Sequence, residues 1–250
     1  MSGDNHFAFI APMYNASKYV GQMLSSLVAQ SYSNWSLILI DDISSDEERK
    51  ASTSIISAYQ NLLQDQRNKI TVVWNHENGR GKQWEVSNVL YGISKCNDDD
   101  IICRIDADDW LTDTDALAII NEAYKQTSCD VLWTAHRWGF SDTNISAPMP
   151  PSANPYKYPW VSSHLKTFRK KIINNVNDEN FRGEDGSYIK RAGDQAIFLP
   201  ILHQTPKRVY LPRVMYHYTI DIADGSVFQT DDARFQKSEA DFLRSRGFVK

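Results

Sequence analysis

The first half of the chain switches between two hydrophobic rhythms. Phe7–Ala11 is a short apolar run closed by Pro12, which reads as a strand buried on both faces. From Ser17, the expected N-cap, the spacing becomes helical through Val20, Leu24, Leu27 and Val28, and it fades near Gln30–Ser31. Trp35–Ile40 is a second strand, followed by Asp41 and Asp42 and by a helix that Ser45 or Asp46 caps. Ile70–Trp74, Ile101–Ile105 and Val131–Thr134 continue the strand series, with helices predicted over Gln83–Lys95 and Asp113–Gln126. This alternation predicts right-handed βαβ crossovers and a mainly parallel sheet.

Beyond Arg137 the rhythm is lost. Ser141–Pro159 is polar and holds five prolines, at 148, 150, 151, 155 and 159. A loop of that length in a compact unit is generally functional or mobile, and a cover over the site is the expectation here. A strand and helix start within His164–Ile173, a helix over Ala192–Leu202, a strand over Val209–Tyr218 and a helix in the charged tail from Asp231 complete the reading.

Composition narrows the class. With 250 residues, 42% hydrophobic and 23% charged, the chain suits one compact α/β unit. A net charge of −4 and a pI near 5.9 argue against a nucleic-acid-binding surface. The densest basic cluster, Lys166, Arg169, Lys170 and Lys171, reads as a solvated helix face. Cys96, Cys103 and Cys129 are odd in number and lack metal-site spacing, so a reducing, cytoplasmic setting is expected. No signal segment or membrane-length apolar run is present, which leaves at most peripheral membrane contact and makes glycans at Asn15, Asn34 and Asn144 unexpected.

The chemistry collects at strand ends. Ile101–Ile105 runs into Asp106, Asp108 and Asp109, an Asp-x-Asp arrangement that suits Mg2+ or Mn2+, which prefer oxygen ligands and keep positions for phosphate and water. Pro12–Asn15, Asp41–Asp42 and His76–Lys82 follow the other strands, and in an open parallel sheet such ends share one rim. A bridging metal reconciles that acidity with a nucleotide phosphate. Gly79 and Gly81 make neither a dinucleotide fingerprint nor a P-loop.

Four segments, in order and spacing, carry a resemblance: Ala-Pro-Met-Tyr-Asn at 11–15, Leu27 through Trp35, Ile40 through Asp46, and Asp-Ala-Asp-Asp-Trp-Leu at 106–111. They resemble the inverting family 2 glycosyltransferases of GT-A fold over residues 7–135. The resemblance implies one GT-A domain over 1–250, with a nucleotide-sugar half at 1–137 and an acceptor half at 138–250. It implies Asp42 or Asp41 on the nucleobase, normally uracil, and Pro12, Tyr14 and Asn15 around base and ribose. Asp106 is implied on the ribose or in the metal shell, Asp108 as direct metal ligand, and Asp109 as support or on the donor sugar. Arg80 and Lys82 become candidates for the diphosphate, although the Asn78-Gly-Arg-Gly-Lys82 loop departs from the family pattern. His217 is a candidate third metal ligand or phosphate contact, and Arg169 a candidate for phosphate or acceptor.

Inverting transfer also needs a carboxylate base, which the family places in an acidic motif opening a helix. Asp194, ahead of the apolar Ala196–Leu202, fits better than Asp185, which sits between glycines with no apolar helix after it. The expected activity is metal-dependent transfer of a sugar, UDP-linked by resemblance, to a glycan or lipid-linked hydroxyl. A non-catalytic nucleotide-sugar or carbohydrate-binding module and a sugar nucleotidyltransferase are the alternatives. The latter calls for a glycine-rich basic loop after the first strand, which Pro12–Ser17 lacks.

Overall fold

The computed structural model describes residues 4–219 and 231–250. Eight strands form one sheet in the order β3-β2-β1-β4-β7-β6-β8-β5. These are β1 (Phe7–Met13), β2 (Trp35–Asp41), β3 (Ile70–Trp74), β4 (Ile101–Arg104), β5 (Trp110–Leu111), β6 (Val131–Trp138), β7 (Lys166–Arg169) and β8 (Arg208–Tyr218). The helices are α1 (Ser17–Val28), α2 (Asp46–Leu62), α3 (Trp84–Ser94), α4 (Ala116–Thr127), α5 (Gly193–Gln204) and α6 (Asp231–Arg246).

β1 lies at the centre, parallel to β2 on one side and to β4 on the other, so successive strands leave it in opposite directions. Crevices for ligands open at such a reversal, beyond the carboxyl ends of the strands. The predicted parallel direction holds through β3, β6 and β8, and only β5 and β7 run against it.

Alternation along β1 divides the core between two faces. Phe7, Phe9 and Ala11 join Val20, Leu24, Leu27, Ile56 and Leu117 from α1, α2 and α4. Ala8 and Ile10 join Val86, Val89, Ala196 and Phe198 from α3 and α5. α5 is buried on nearly every side, as its unbroken apolar sequence demands.

Two local expectations need correction, and one open choice is decided. Ser17 does not cap α1; its N–H donates to Glu48 Oε2, and Ala16 precedes the helix without a side-chain cap. Ser45 rather than Asp46 caps α2, accepting from Glu48 N. The proline-rich segment mostly buttresses the second face: Trp133 Nε1 donates to Ala147 O, and Met149 and Tyr156 are buried. No helix among the described residues is long and apolar enough to cross a membrane.

Candidate active site

Two neighbouring cavities open at the carboxyl ends of the central strands. The first, of about 620 Å3, is lined by Pro12, Tyr14, Asp42, Lys82, Asp106 and Asp108 together with Trp84, Glu85, Lys190 and Arg191. The second, of about 580 Å3, includes Trp138, Trp160, His164, Asp194 and Tyr218 in its wall. Ala233 and Gln236 of α6 border both.

Between them lies a network of buried charge. Arg104, the last residue of β4, is only 4% exposed. Its Nη2 meets Asp106 Oδ1 at 2.8 Å and also bonds Glu85, while Nη1 meets Asp194 Oδ1 at 2.9 Å. Lys166 of β7 pairs with Arg104 across the sheet, is fully buried, and also binds Asp194 Oδ1. Burial alone raises the pKa of Asp194, but the Lys166 and Arg104 charges overcome it and hold the carboxyl well below the usual range. These two cations favour the carboxylate form of Asp194.

Glu85 behaves oppositely. Burial, reinforced by Asp194 and Asp106, raises it to about 7 despite Arg104. α5 comes so close that a Cβ on Gly193 would lie 2.3 Å from Glu85 Cδ, so the glycine makes room for this carboxyl.

The predicted acids separate in role. Asp108 stands in the wall of the first cavity, where lost hydration together with the Asp106 charge raises its carboxyl to about 6. Asp109 is fully buried, accepting from Tyr216 Oη at 2.7 Å and Thr219 N at 2.7 Å. It supports the loop, one of its two expected roles, and is not part of the first cavity's wall. Asp41 is fully buried and accepts from Ser44 N, so of the Asp41–Asp42 pair only Asp42 reaches the cavity. Asp42 also accepts from Gln83 N at 2.7 Å and Trp84 N at 2.9 Å, anchoring the start of α3.

Other candidates move away. Asn15 ties two loops together, its N–H donating to Ser44 Oγ and its Oδ1 accepting from Ser45 N, and it is absent from the cavity lining. Arg80 lies over the Tyr91 ring at 3.9 Å and donates to Asn75 Oδ1, leaving Lys82 as the loop cation in the cavity. Lys82 Nζ sits 4.0 Å from the Tyr14 ring centre and 4.8 Å from that of Trp84. Arg169 donates to Cys129 O at the opposite end of β7 from Lys166. Asp185 lies in a surface turn, accepting from Ser187, and lines a separate pocket. His217 is 2% exposed, stacks on Trp110 at 3.7 Å and accepts at Nδ1 from Arg137 Nε.

Ligand atoms of Asp106, Asp109 and His164 lie within 4.8 Å of one another. Asp109 is fully buried, whereas Asp106, whose oxygens also accept from Arg104, and Asp108 stand at the wall of the first cavity. Two carboxylates with open positions suit Mn2+ or Mg2+. The raised Asp108 carboxyl marks negative charge that a cation there would relieve.

The profile of Glycosyl transferase family 2 matches residues 8–189. The chain belongs to this family. Among relatives, the Streptococcus pneumoniae glycosyltransferase GlyG is 22% identical over 241 residues, covering 89% of this chain and 72% of that protein. The Staphylococcus aureus poly(ribitol-phosphate) beta-N-acetylglucosaminyltransferase TarS is 28% identical over 124 residues, or 48% of this chain. That alignment spans 19% of TarS, so the likeness covers a minor part of the relative. The structure of S. aureus TarS 1–349 with UDP-GlcNAc superimposes with a TM-score of 0.63 at 15% identity, covering 95% of this chain and 71% of that one. The Pyrobaculum calidifontis mannosyltransferase with GDP-Man and Mn2+ gives 0.56 at 13% identity, covering 88% and 57%. This family 2 glycosyltransferase thus has the GT-A fold anticipated from its motifs.

Sequence reasoning missed Arg104, Lys166, Glu85, Trp84, Lys190 and Arg191. Arg104 did leave a signal, a lone cation inside an apolar strand. Lys166 was masked by its basic neighbours and is a buried strand residue, which overturns the solvated-helix expectation for it.

Proposed function

We propose that this family 2 glycosyltransferase moves a sugar from a nucleotide-sugar donor, UDP-linked, to a glycan or lipid-linked hydroxyl by a single inverting displacement. The observation that carries the proposal is the placement of Asp194. It stands between a first cavity with acids and cations in its wall and a second, aromatic one.

In this reading, Pro12, Tyr14 and Asp42 border the nucleoside, and Lys82, Lys190 and Arg191 supply positive charge for the diphosphate. Asp106 and Asp108 hold Mn2+ or Mg2+, whose chemistry is to draw off charge developing on the departing diphosphate. The acceptor oxygen bonds to C1 as the C1–O bond to the diphosphate breaks, and the bonding electrons leave with the nucleoside diphosphate. Asp194 takes the acceptor proton. Its two cations keep it ionised and aimed, at the expense of basicity. Residues 1–137 supply most of the donor site, to which Lys190 and Arg191 are added, and 138–250 supply the acceptor half of one domain. The three free cysteines suit the cytoplasm.

A nucleotide-sugar panel with Mn2+, read as nucleoside diphosphate release, tests the activity. Asp194→Asn is expected to lower transfer by about 10²–10⁴-fold while UDP affinity is retained. Unchanged transfer in that variant would remove Asp194 from the base role. Release as fast in Asp108→Ala as in the parent would remove the proposed metal site.

A further inference from the structure

α6 lies beside the segment that leads into α5. Along it Asp232, Gln236, Glu239, Ala240 and Leu243 recur at helical spacing, so one face is polar in its first half and apolar in its second. Ala240 and Leu243 are buried, and Asp232 and Gln236 stand in the wall of the first cavity. Glu239, between these pairs, binds backbone. Its Oε1 accepts from Lys190 N at 3.0 Å, and its Oε2 accepts from Arg191 N at 2.7 Å and from Ala192 N at 3.0 Å.

These N–H groups belong to residues on which the site depends. Lys190 and Arg191 put cations in the wall of the first cavity, and Asp194 follows in the first turn of α5. α5 does not hold this entrance from within. Ala192, its cap residue, makes no side-chain bond. Gln195 sits where a capping box would reach back to the cap N–H, but its Oε1 accepts from Arg244 Nε of α6 at 2.7 Å. Glu239 thus supplies from a neighbouring helix what the local sequence lacks. The Arg191 side chain is held as well, donating to both Asp232 oxygens and lying 5.0 Å from the Trp84 ring centre.

We propose that Glu239 is a positioning residue of the donor site: by fixing the backbone of residues 190–192 it aims Lys190 and Arg191 at the donor diphosphate. This role rests on the glycosyltransferase reading above. The sign of the effect separates position from charge. An acid near a diphosphate weakens its binding by charge alone, so a gain in affinity from Glu239 comes from the geometry it imposes.

Binding of UDP by titration calorimetry and of uridine by saturation-transfer NMR, both on the full chain with Mn2+, tests it. Uridine has the nucleoside but no diphosphate. Glu239→Ala is expected to weaken UDP about tenfold and to leave uridine unchanged, whereas a general loss of order would lower both. Glu239→Gln keeps an amide oxygen that can accept from Arg191 N and Ala192 N, and it is expected to recover most of the loss. Arg191→Met should weaken UDP by itself, and adding Glu239→Ala to it should cost less than in the parent. If circular dichroism shows that the alanine variant is unfolded, Glu239→Gln carries the test, at about threefold weaker UDP binding than the parent. UDP affinity that is unchanged or higher in a folded variant, or an equal fall for uridine, would overturn the role. A parent that binds neither UDP nor uridine would overturn the donor reading itself, which keeps the two failures distinct.

Discussion

Asp194 is shaped by residues that never reach the cavity surface. Lys166 is fully buried and anchors one carboxylate oxygen from behind, with Arg104 beside it. Removing one member of a buried ion pair typically costs about 3–5 kcal/mol, because the remaining charge stays desolvated. Here Arg104 remains and the Asp194 side chain is 29% exposed, so Lys166→Met is expected to cost less, about 2 kcal/mol, read as a lower denaturant midpoint. With one cation gone, the Asp194 pKa should rise, and a new acid limb should appear in the transfer rate. Unchanged stability and an unchanged pH profile would show that the pair has no such role. The sequence made the acids legible because they follow apolar runs, and Asp194 because it opens an apolar helix. Which carboxylates face the cavity was not legible. Asp109 and Asp41 differ from their neighbours by one residue position, and only the folded loop determines that their oxygens turn toward Tyr216, Thr219 and Ser44.

At the scale of elements, a strand is readable when its neighbours are apolar on both faces. β1, β2, β3 and β4 satisfy that condition, and their boundaries fell within two residues of the prediction. β7 falls within the strand expected in His164–Ile173, but its polar Lys166 and Thr167, buried against Asp194 and against Tyr124 and Leu132 O, conceal where it inserts. Nothing local announces that four residues thirty positions further on enter antiparallel between β4 and β6. β5, two residues long, is fixed by its pairing with Tyr216 and His217. One close element contact was equally hidden: α3 lies on the sheet at Gly92, where a Cβ would stand 2.6 Å from Ile10 Cγ2 and 3.1 Å from Ile40 Cδ1. Alanine gains about 1 kcal/mol of helix propensity over glycine. Overpacking a tight core costs about 1–3 kcal/mol, and β-strand atoms at the centre of the sheet have little room to yield. Gly92→Ala is therefore expected to be destabilising by about 1 kcal/mol in chemical denaturation. A more stable variant would mean that α3 can lift without loss.

For the whole molecule, the concentration of acids at one end of the sheet makes stability depend on pH in an unusual direction. Glu85 ordinarily titrates near 4.5 and is raised to about 7; Asp108 moves from 3.8 to about 6. Between the unfolded and folded values, the folded chain holds protons that the unfolded chain has released. Rising pH therefore subtracts stability over about pH 4 to 7, and the loss is complete above that window. Asp194, held low, works the other way: its contribution is present above 3.8 and is lost only as pH falls through its depressed folded value. The two windows do not overlap, so the local acid cluster predicts a melting temperature that declines from pH 5 to pH 7.5. Glu85→Gln should flatten that decline, because glutamine keeps the shape without an ionisation to suppress. Mn2+ should flatten it by a separate route, since a cation at Asp106 and Asp108 favours their charged forms, and its stabilising effect should weaken as pH drops below about 6. Thermal melts of the parent and Glu85→Gln at both pH values, with Mn2+ and with chelator, measure the two effects independently. A decline that neither the substitution nor the metal alters would place the controlling groups elsewhere in the fold.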